Sequence, residues 1–569
     1  MERILQLMMK MHFNADLGDE QIASEIGSVE NGRLRIGEMT YHTVILPGFL
    51  TIRPTTLALL EEFAAQGGNV IVCGEYPAYV DGVPDTLENL KSCSVALDYP
   101  ELSAWLDAHL DRAFRLEGRG SSAVWTHLRQ VDGGRTLQLS NTSRMNAVHI
   151  RVALDQPARH TALLNPLNGE CLSVPMSDDG SFKLELAPAQ TWVLLDTDRA
   201  IPYDGEYRLP GVQTPVQALT GWSCRCLDPN ALPLDFAEWS TDGGETWLGL
   251  EPVLAIYFRF NDGAAHYDGP MLLRYSFEAQ TLPAKCSLVV EQPWMYKTAT
   301  LNGHALHFGD DWYVDRYFRT ADVASYLKAG RNEVLLSLDF VNPIPTSVDP
   351  VARYGTEIEN LFLVGDFAVG AALAVEQPTE TWRNRNPILN PKPMPARFQY
   401  GSFSLVADAD APEGDFTRQG HPFFAGRLIC KGVLNLAERK DSVRYKIAFP
   451  KVEAITVGVK VNGTQLPTVF CSPWETDVTD VLKTGENEIE LTLTGSLRNL
   501  LGPLHCVGGE FSMLGPATFS GRDSWPNAEP GDNDWFDLRK TGKTRLWRDD
   551  YYCIPFGLME APVLVTESF

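Results

Sequence analysis

One pattern occurs twice in this chain of 569 residues and restricts its architecture more than any other feature. The first copy reads Leu301-Asn302-Gly303, then Asp322-Val323, then Leu327-Lys328-Ala329-Gly330-Arg331-Asn332-Glu333-Val334. The second reads Val461-Asn462-Gly463, Asp477-Val478 and Leu482-Lys483-Thr484-Gly485-Glu486-Asn487-Glu488-Ile489, with the same Asp-to-Asn spacing of ten. Asn-Gly supplies the positive φ values of a tight hairpin, a short helical turn follows Asp-Val, and Gly-x-Asn leads the chain into an alternating strand. Two β-sandwich domains of one type are therefore expected, over 201–400 and 401–569.

The rest of the chain divides by texture. Residues 1–115 hold the one clear α/β pattern. Tyr41 to Gly48 is a buried strand ending in Pro-Gly, Thr55 to Gln66 has apolar residues at helical spacing, and Gly67 to Gly74 is a second strand. Strand, helix and strand in about thirty residues form one right-handed βαβ crossover and predict a small parallel sheet. Asp85 to Phe114 reads as largely helical. Over 116–200 the segments are short and alternating, such as Thr136 to Ser140 and Ser181 to Leu186, as in a small β-sandwich ending at Trp192 to Asp196. Asp196 to Pro210 suits a linker.

Composition excludes more than it selects. A net charge of −25, from 73 acidic and 48 basic residues, repels phosphate backbones and anionic lipid, so neither nucleic acid nor membrane is an expected partner. The start, MERILQLMMKMHF, has basic residues within its apolar stretch and no small-residue cleavage site. With cysteines scattered singly apart from Cys224 and Cys226, and no paired CxxC, the expectation is a cytoplasmic protein with reduced thiols, or an extracellular one if an upstream segment carries a signal. No cofactor is expected.

The repeats resemble the galactose-binding-like jelly rolls that accompany the catalytic barrels of family 2 and related glycoside hydrolases. Asp477-Val478-Thr479 matches that pattern fully, and the first copy departs with Ala324 in the Thr position. Phe13 to Glu20, with Tyr41 to Pro47 and Gly67 to Gly74, is similar to the amidotransferase-like domain behind such barrels; Asn165 to Glu170 resembles a turn of the sandwich that follows it. With Phe362 to Phe367, the order of parts is most similar to the rhamnosidase-type family 106. The resemblance implies a multi-domain, mainly β chain: one small α/β amidotransferase-like domain, a β-sandwich and two galactose-binding-like jelly rolls. It also implies a carbohydrate partner, with rhamnose-containing glycans as one class. Glycosidases of this kind carry their two carboxylates on a (β/α)₈ barrel of about 250 residues, for which these assignments leave no room. A separate or upstream barrel is then the catalytic partner. A self-contained hydrolase with an interdomain carboxylate pair and a non-binding scaffold stay open.

Within the repeats, aromatic residues gather in loops: Trp294 and Tyr296 before the first Asn-Gly, Trp312, Tyr313 and Tyr317 after it, and Trp474 in the second copy. Sugars present flat C–H faces to such rings and hydroxyls to charged groups, here Asp311, Asp315 and Arg316. Packing at a sandwich end is the competing reading for each ring. Four further motifs read as structural. Ser240 to Trp247 fits the Asp-box S-x-D-x-G-x-T-W as one hairpin, and Cys73 lacks the glycine-flanked elbow of a nucleophile. Glu357 with Glu359, and Asp242 with Glu245, read as solvated carboxylates. His421 and His505 are lone histidines without ligand spacing, so no metal site is expected.

Overall fold

The predicted crossover is present in the computed structural model. Thr43–Pro47 and Asn69–Cys73 pair in parallel, joined by helix Pro54–Ala65, whose Leu60 and Phe63 are fully buried. Pro54 opens the helix, where its missing N–H costs nothing, and Gly68 follows because a Cβ there would meet the Phe63 ring. The stretch expected to be helical from Asp85 holds two helices, Glu88–Cys93 and Tyr99–His109, with a third parallel strand, Val95–Leu97, between them. Three residues are too few for periodicity to register. Asp98 then ends that strand and caps the next helix, reciprocally with Glu101.

The structure describes residues 1–261, 267–342, 344, 346–348, 353, 355–374, 395–505 and 548–568. The protein is multi-domain and mainly β, and it divides into two units, Met1–Pro210 and Gly211–Phe569. No eight-stranded α/β ring occurs among the described residues, and none of their helices is long and apolar enough to cross a membrane. In the first unit a sandwich follows the α/β part. Its three-stranded sheet holds Phe114–Glu117, Val148–Leu154 and Ser181–Leu186; Thr191–Thr197 is central in the opposing six-stranded sheet. The sandwich runs past the expected linker start: Gly205–Glu206 pairs with Leu172 and Ser173, Tyr207 N donates to Ser173 O at 2.8 Å, and the hydroxyl of buried Tyr207 accepts from Glu185 N.

The second unit holds two sandwiches, each built around a long antiparallel pair: Gly269–Ala279 with Gly330–Phe340, and Arg427–Leu436 with Gly485–Thr494. Alternate residues of these strands are buried, as period-2 patterning requires. Chain order does not follow the expected boundaries. Gln213–Ala218 and Ser223–Cys226, expected in the first sandwich, pair with Val563–Ser568 and Arg427–Leu436 of the second. Ser404–Val406, expected in the second, pairs with Gly269–Ala279 of the first. The first sandwich is thus inserted into the second. Two side chains fix the early strands there: Trp222 lies on Gly432, where a Cβ would come within 2.9 Å of its ring, and Cys224 opposes Cys430 in the ladder and forms a disulfide with it. This corrects the expectation of reduced thiols throughout, because two strands 206 residues apart in sequence bring lone cysteines together.

The repeat has one hydrogen-bond plan in both sandwiches. Asn302 and Gly303 have φ of 50° and 84°, as do Asn462 and Gly463, the both-positive geometry of a type I′ hairpin. Asn332 and Asn487 are fully buried. Asn487 Oδ1 accepts from Lys483 N and from Asn462 Nδ2, while its Nδ2 donates to Lys483 O and Gly485 O. Asn332 repeats each bond with Lys328, Asn302 and Gly330. Asp322 and Asp477 each accept from the backbone two residues on. Thr479 adds a bond from Tyr445 N that Ala324 cannot make.

Removing the Asn487 amide orphans several buried groups, each costing about 1–3 kcal/mol, so Asn487→Ala lowers stability by roughly 2–4 kcal/mol in urea unfolding followed by tryptophan fluorescence. A loss under about 0.5 kcal/mol, the size of an ordinary surface change, contradicts the role given to it. Peptide mapping of the denatured, metal-stripped chain without reductant should recover Cys224 and Cys430 as one linked pair, with Cys226 and Cys471 alkylated.

Candidate functional site

The aromatic residues singled out from sequence separate into exposed and buried sets. Trp312–Tyr313 and Asp315–Asp322 form a hairpin whose tip, Val314, has φ of 57°. Trp312 and Tyr317 are 55% and 56% exposed, and Asp311, Asp315 and Arg316 are exposed beside them. Tyr313 turns inward against a cluster with Val289 and Phe362; burial, with Asp228 adding to it, pushes its hydroxyl up to about 12. Trp474 belongs to the other sandwich and packs against its core. Asp311, Trp312, Arg316 and Tyr317 are thus exposed on this hairpin, whereas Tyr313 and Trp474 pack inward.

Trp294 joins the exposed set. It is 59% exposed, and its ring meets that of Tyr317 edge-on with centroids 5.9 Å apart. The backbone holds this pair: Gln292 N donates to Tyr317 O at 2.9 Å, and Tyr317 N donates to Asp315 Oδ1 at 2.9 Å. Tyr296, two residues after Trp294, is buried. Tyr296 opens the strand Tyr296–Leu301 with its ring in the core, and the sequence carried no sign that Trp294 precedes the strand in a short 3₁₀ turn.

Beside this surface lies a group of carboxylates that sequence reasoning read as solvated. Glu359 is only partly exposed, and burial, followed by Glu291 and Glu357, pushes its carboxyl up to about 8. Glu291 is also raised, by burial and then by Glu357 and Asp315. Glu359 follows Ile358, whose side chain is buried and holds the segment down. A carboxyl raised this far is a proton donor at neutral pH, the property a general acid needs. Its neighbours Glu291 and Glu357 offer hydroxyl acceptors.

No family model matches this chain, and no curated protein matches it. Among solved structures, a rhamnosidase from Novosphingobium sp. PP1Y aligns at 11% identity and a TM-score of 0.43, over 98% of this chain and 36% of that one. The Streptomyces avermitilis α-L-rhamnosidase complexed with L-rhamnose aligns at 13% identity and a TM-score of 0.23, over 67% of this chain and 36% of that one. An apo exo-carrageenase GH42 from Bacteroides ovatus gives 12% identity and a TM-score of 0.24, over 34% and 26%. The chain matches about a third of the length of these enzymes or less.

The remaining motifs are structural. In the Asp-box, Ser240 Oγ donates to Asp242 Oδ1, Thr246 N donates to the same oxygen, and Arg274 covers the Trp247 ring at 3.9 Å. The bond from Thr246 N, then that from Ser240, lowers Asp242 to about 2. Cys73 is buried at the end of its strand, and that burial raises its thiol.

Glu359 makes a signed prediction. Its carboxyl titrates near 4.5 in the unfolded chain and near 8 in the folded one, so between those values the folded protein holds a proton that unfolding releases. Stability therefore falls as pH rises through that window and is level above it. Glu359→Gln removes this dependence, and the variant gains on the parent by on the order of 3–5 kcal/mol between about pH 5 and about pH 8.5 in denaturant titrations. Parallel pH profiles for the two proteins contradict the raised carboxyl.

Proposed function

We propose that this chain is the accessory, carbohydrate-binding portion of a glycoside hydrolase acting on polysaccharide or oligosaccharide, with rhamnose-containing glycans as one class. The observation that carries the reading is the exposed ring pair of Trp294 and Tyr317, with exposed Trp312, Asp311, Asp315 and Arg316 on the same hairpin as Tyr317. Indole and phenol rings stack on the C–H faces of sugars, and charged groups at the rim hydrogen-bond their hydroxyls. Supporting it is the resemblance of both repeats to galactose-binding-like jelly rolls. The mechanism is positioning: the sandwiches hold a glycan near a separate or upstream catalytic barrel and raise its effective concentration there. A net charge of −25 suits a neutral polymer and disfavours nucleic acid or anionic membrane as partners. The Cys224–Cys430 disulfide supports an oxidising compartment in place of the cytoplasmic expectation.

A hydrolytic reading has one observation in its favour, the carboxyl of Glu359 held protonated at neutral pH. It differs in its outcome. On the binding reading, a glycan array finds ligands for the purified chain, Trp312→Ala and Tyr317→Ala each weaken them by roughly five- to tenfold, and no aryl glycoside is turned over. Absence of any glycan ligand removes the binding reading in favour of a scaffold. Turnover that disappears in Glu359→Gln replaces it with hydrolysis.

A further inference from the structure

Where Ser223–Cys226 enters the second sandwich, three donor side chains from distant parts of the sequence converge. Cys224 bridges Ala411 in antiparallel fashion, with paired bonds of 2.8 Å between their N–H and C=O groups. That bridge draws Asp408 alongside Cys226. His421 is 1% exposed, stacked flat on Phe416 at 4.0 Å and flanked edge-on by Phe424. The Cys226 sulfur, an Asp408 oxygen and a His421 ring nitrogen all lie within 4.8 Å of one another.

The imidazole of His421 shows what the group is arranged to hold. Its Nδ1 lies 2.9 Å from Gln419 O, an acceptor only, so Nδ1 carries the hydrogen and Nε2 of the neutral ring presents a lone pair. Nε2 is 3.0 Å from Asp408 Oδ1, within ion-pair reach, and is a buried atom without a hydrogen bond of good geometry. His505 provides the contrast: its Nε2 does form a bond to Asp235 Oδ2 at 2.8 Å. A cation about 2 Å along the Nε2 lone pair and about 2 Å from the carboxylate oxygen leaves those two atoms roughly 3 Å apart, with the oxygen off axis. Cys226 needs to close in by roughly an ångström to complete three ligands at metal distances.

We infer that Cys226, Asp408 and His421 form a binding site for a borderline-soft divalent metal of the zinc class. A thiolate, an imidazole and a carboxylate are the donor set of such ions, and magnesium or calcium takes oxygen ligands instead. Three protein ligands leave a fourth position for water or another ligand. The same trio does not work as a Cys-His-Asp nucleophile. Nδ1 donates to a backbone carbonyl and the acid lies at Nε2, so Asp408 does not orient the ring from the nitrogen opposite the base, as the acid of such a triad does. Burial, with Asp408 and Asp228 close by, also keeps the Cys226 thiol from ionising unaided. The site stands independently of the carbohydrate reading.

The full chain, stripped with a chelator and dialysed, is titrated with Zn²⁺ alone and, in parallel, with Co²⁺ alone. The expected results are one zinc per chain by elemental analysis, a rise in Tm, protection of Cys226 from alkylation, and a thiolate-to-cobalt charge-transfer band. Cys226→Ser abolishes the band, and Asp408→Asn weakens zinc binding by roughly tenfold or more. Asp408 is the partly exposed ligand, so its variant keeps the fold testable, with far-UV circular dichroism as the check. A folded chain that takes up no zinc overturns the inference, as does a charge-transfer band that persists in Cys226→Ser.

Discussion

Each sandwich of the second unit depends on a bonded pair of asparagines, the distal one fully buried. Asn302 with Asn332, and Asn462 with Asn487, connect a hairpin turn to the entry of the longest strand, across 30 residues in one copy and 25 in the other. Each distal asparagine is itself fully buried and uses both ends of its amide on backbone groups of the turn after the Asp-Val segment, which satisfies them without regular secondary structure. The bonded pair sets where the strand begins. A strand displaced by one residue would send its buried side chains to solvent, so the pair also protects the alternation along Gly330–Phe340 and Gly485–Thr494.

The insertion of one sandwich into the other places a different demand on the chain. Strands at 213–226 find their partners beyond residue 426, with the other sandwich between them in sequence. Closing a loop of that length costs entropy, and a disulfide at its base limits the unfolded ensemble by on the order of 5 kcal/mol in the chain-entropy account. A second closure works through polar contacts. His505 Nε2 and the Tyr551 hydroxyl both bond to buried Asp235, and His505 Nδ1 faces the carbonyls of Arg548 and Asp550, tying the returning chain to the core of the first sandwich. Lys446 does the same for the second, between Glu475 at 2.8 Å and Glu567 at 2.7 Å.

What sequence reading recovers follows from range. The parallel crossover and the twin Asn-Gly turns are local, decided by glycine, by β-branched runs and by spacing, and both are present as expected. The short strand Val95–Leu97 was hidden by its length. The interleaving of the two sandwiches was not legible, because an edge segment such as Gln213–Ala218, exposed throughout, carries no alternation that selects one sheet over another. Cys224 and Cys430, or Cys226 and His421, are lone residues in sequence; only strand pairing makes them neighbours. Glu359 was misread for the same reason, since its two acidic neighbours depend on tertiary packing, and a spacing of two residues from Glu357 says nothing about burial.

Of the aromatic residues in the repeats, the fold uses some and leaves others free, and that division is itself informative. Tyr296, Tyr313 and Trp474 sit against cores, where a large ring contributes by burial. Trp294, Trp312 and Tyr317 each leave more than half their surface in water while their backbone is held by the hairpin and by the Gln292–Tyr317 bond. Rings held rigidly in solvent lose hydrophobic stabilisation without gaining mobility. An arrangement of that kind favours a partner with apolar faces and polar edges, because such a partner recovers the exposed area and meets the charged rim with little further ordering.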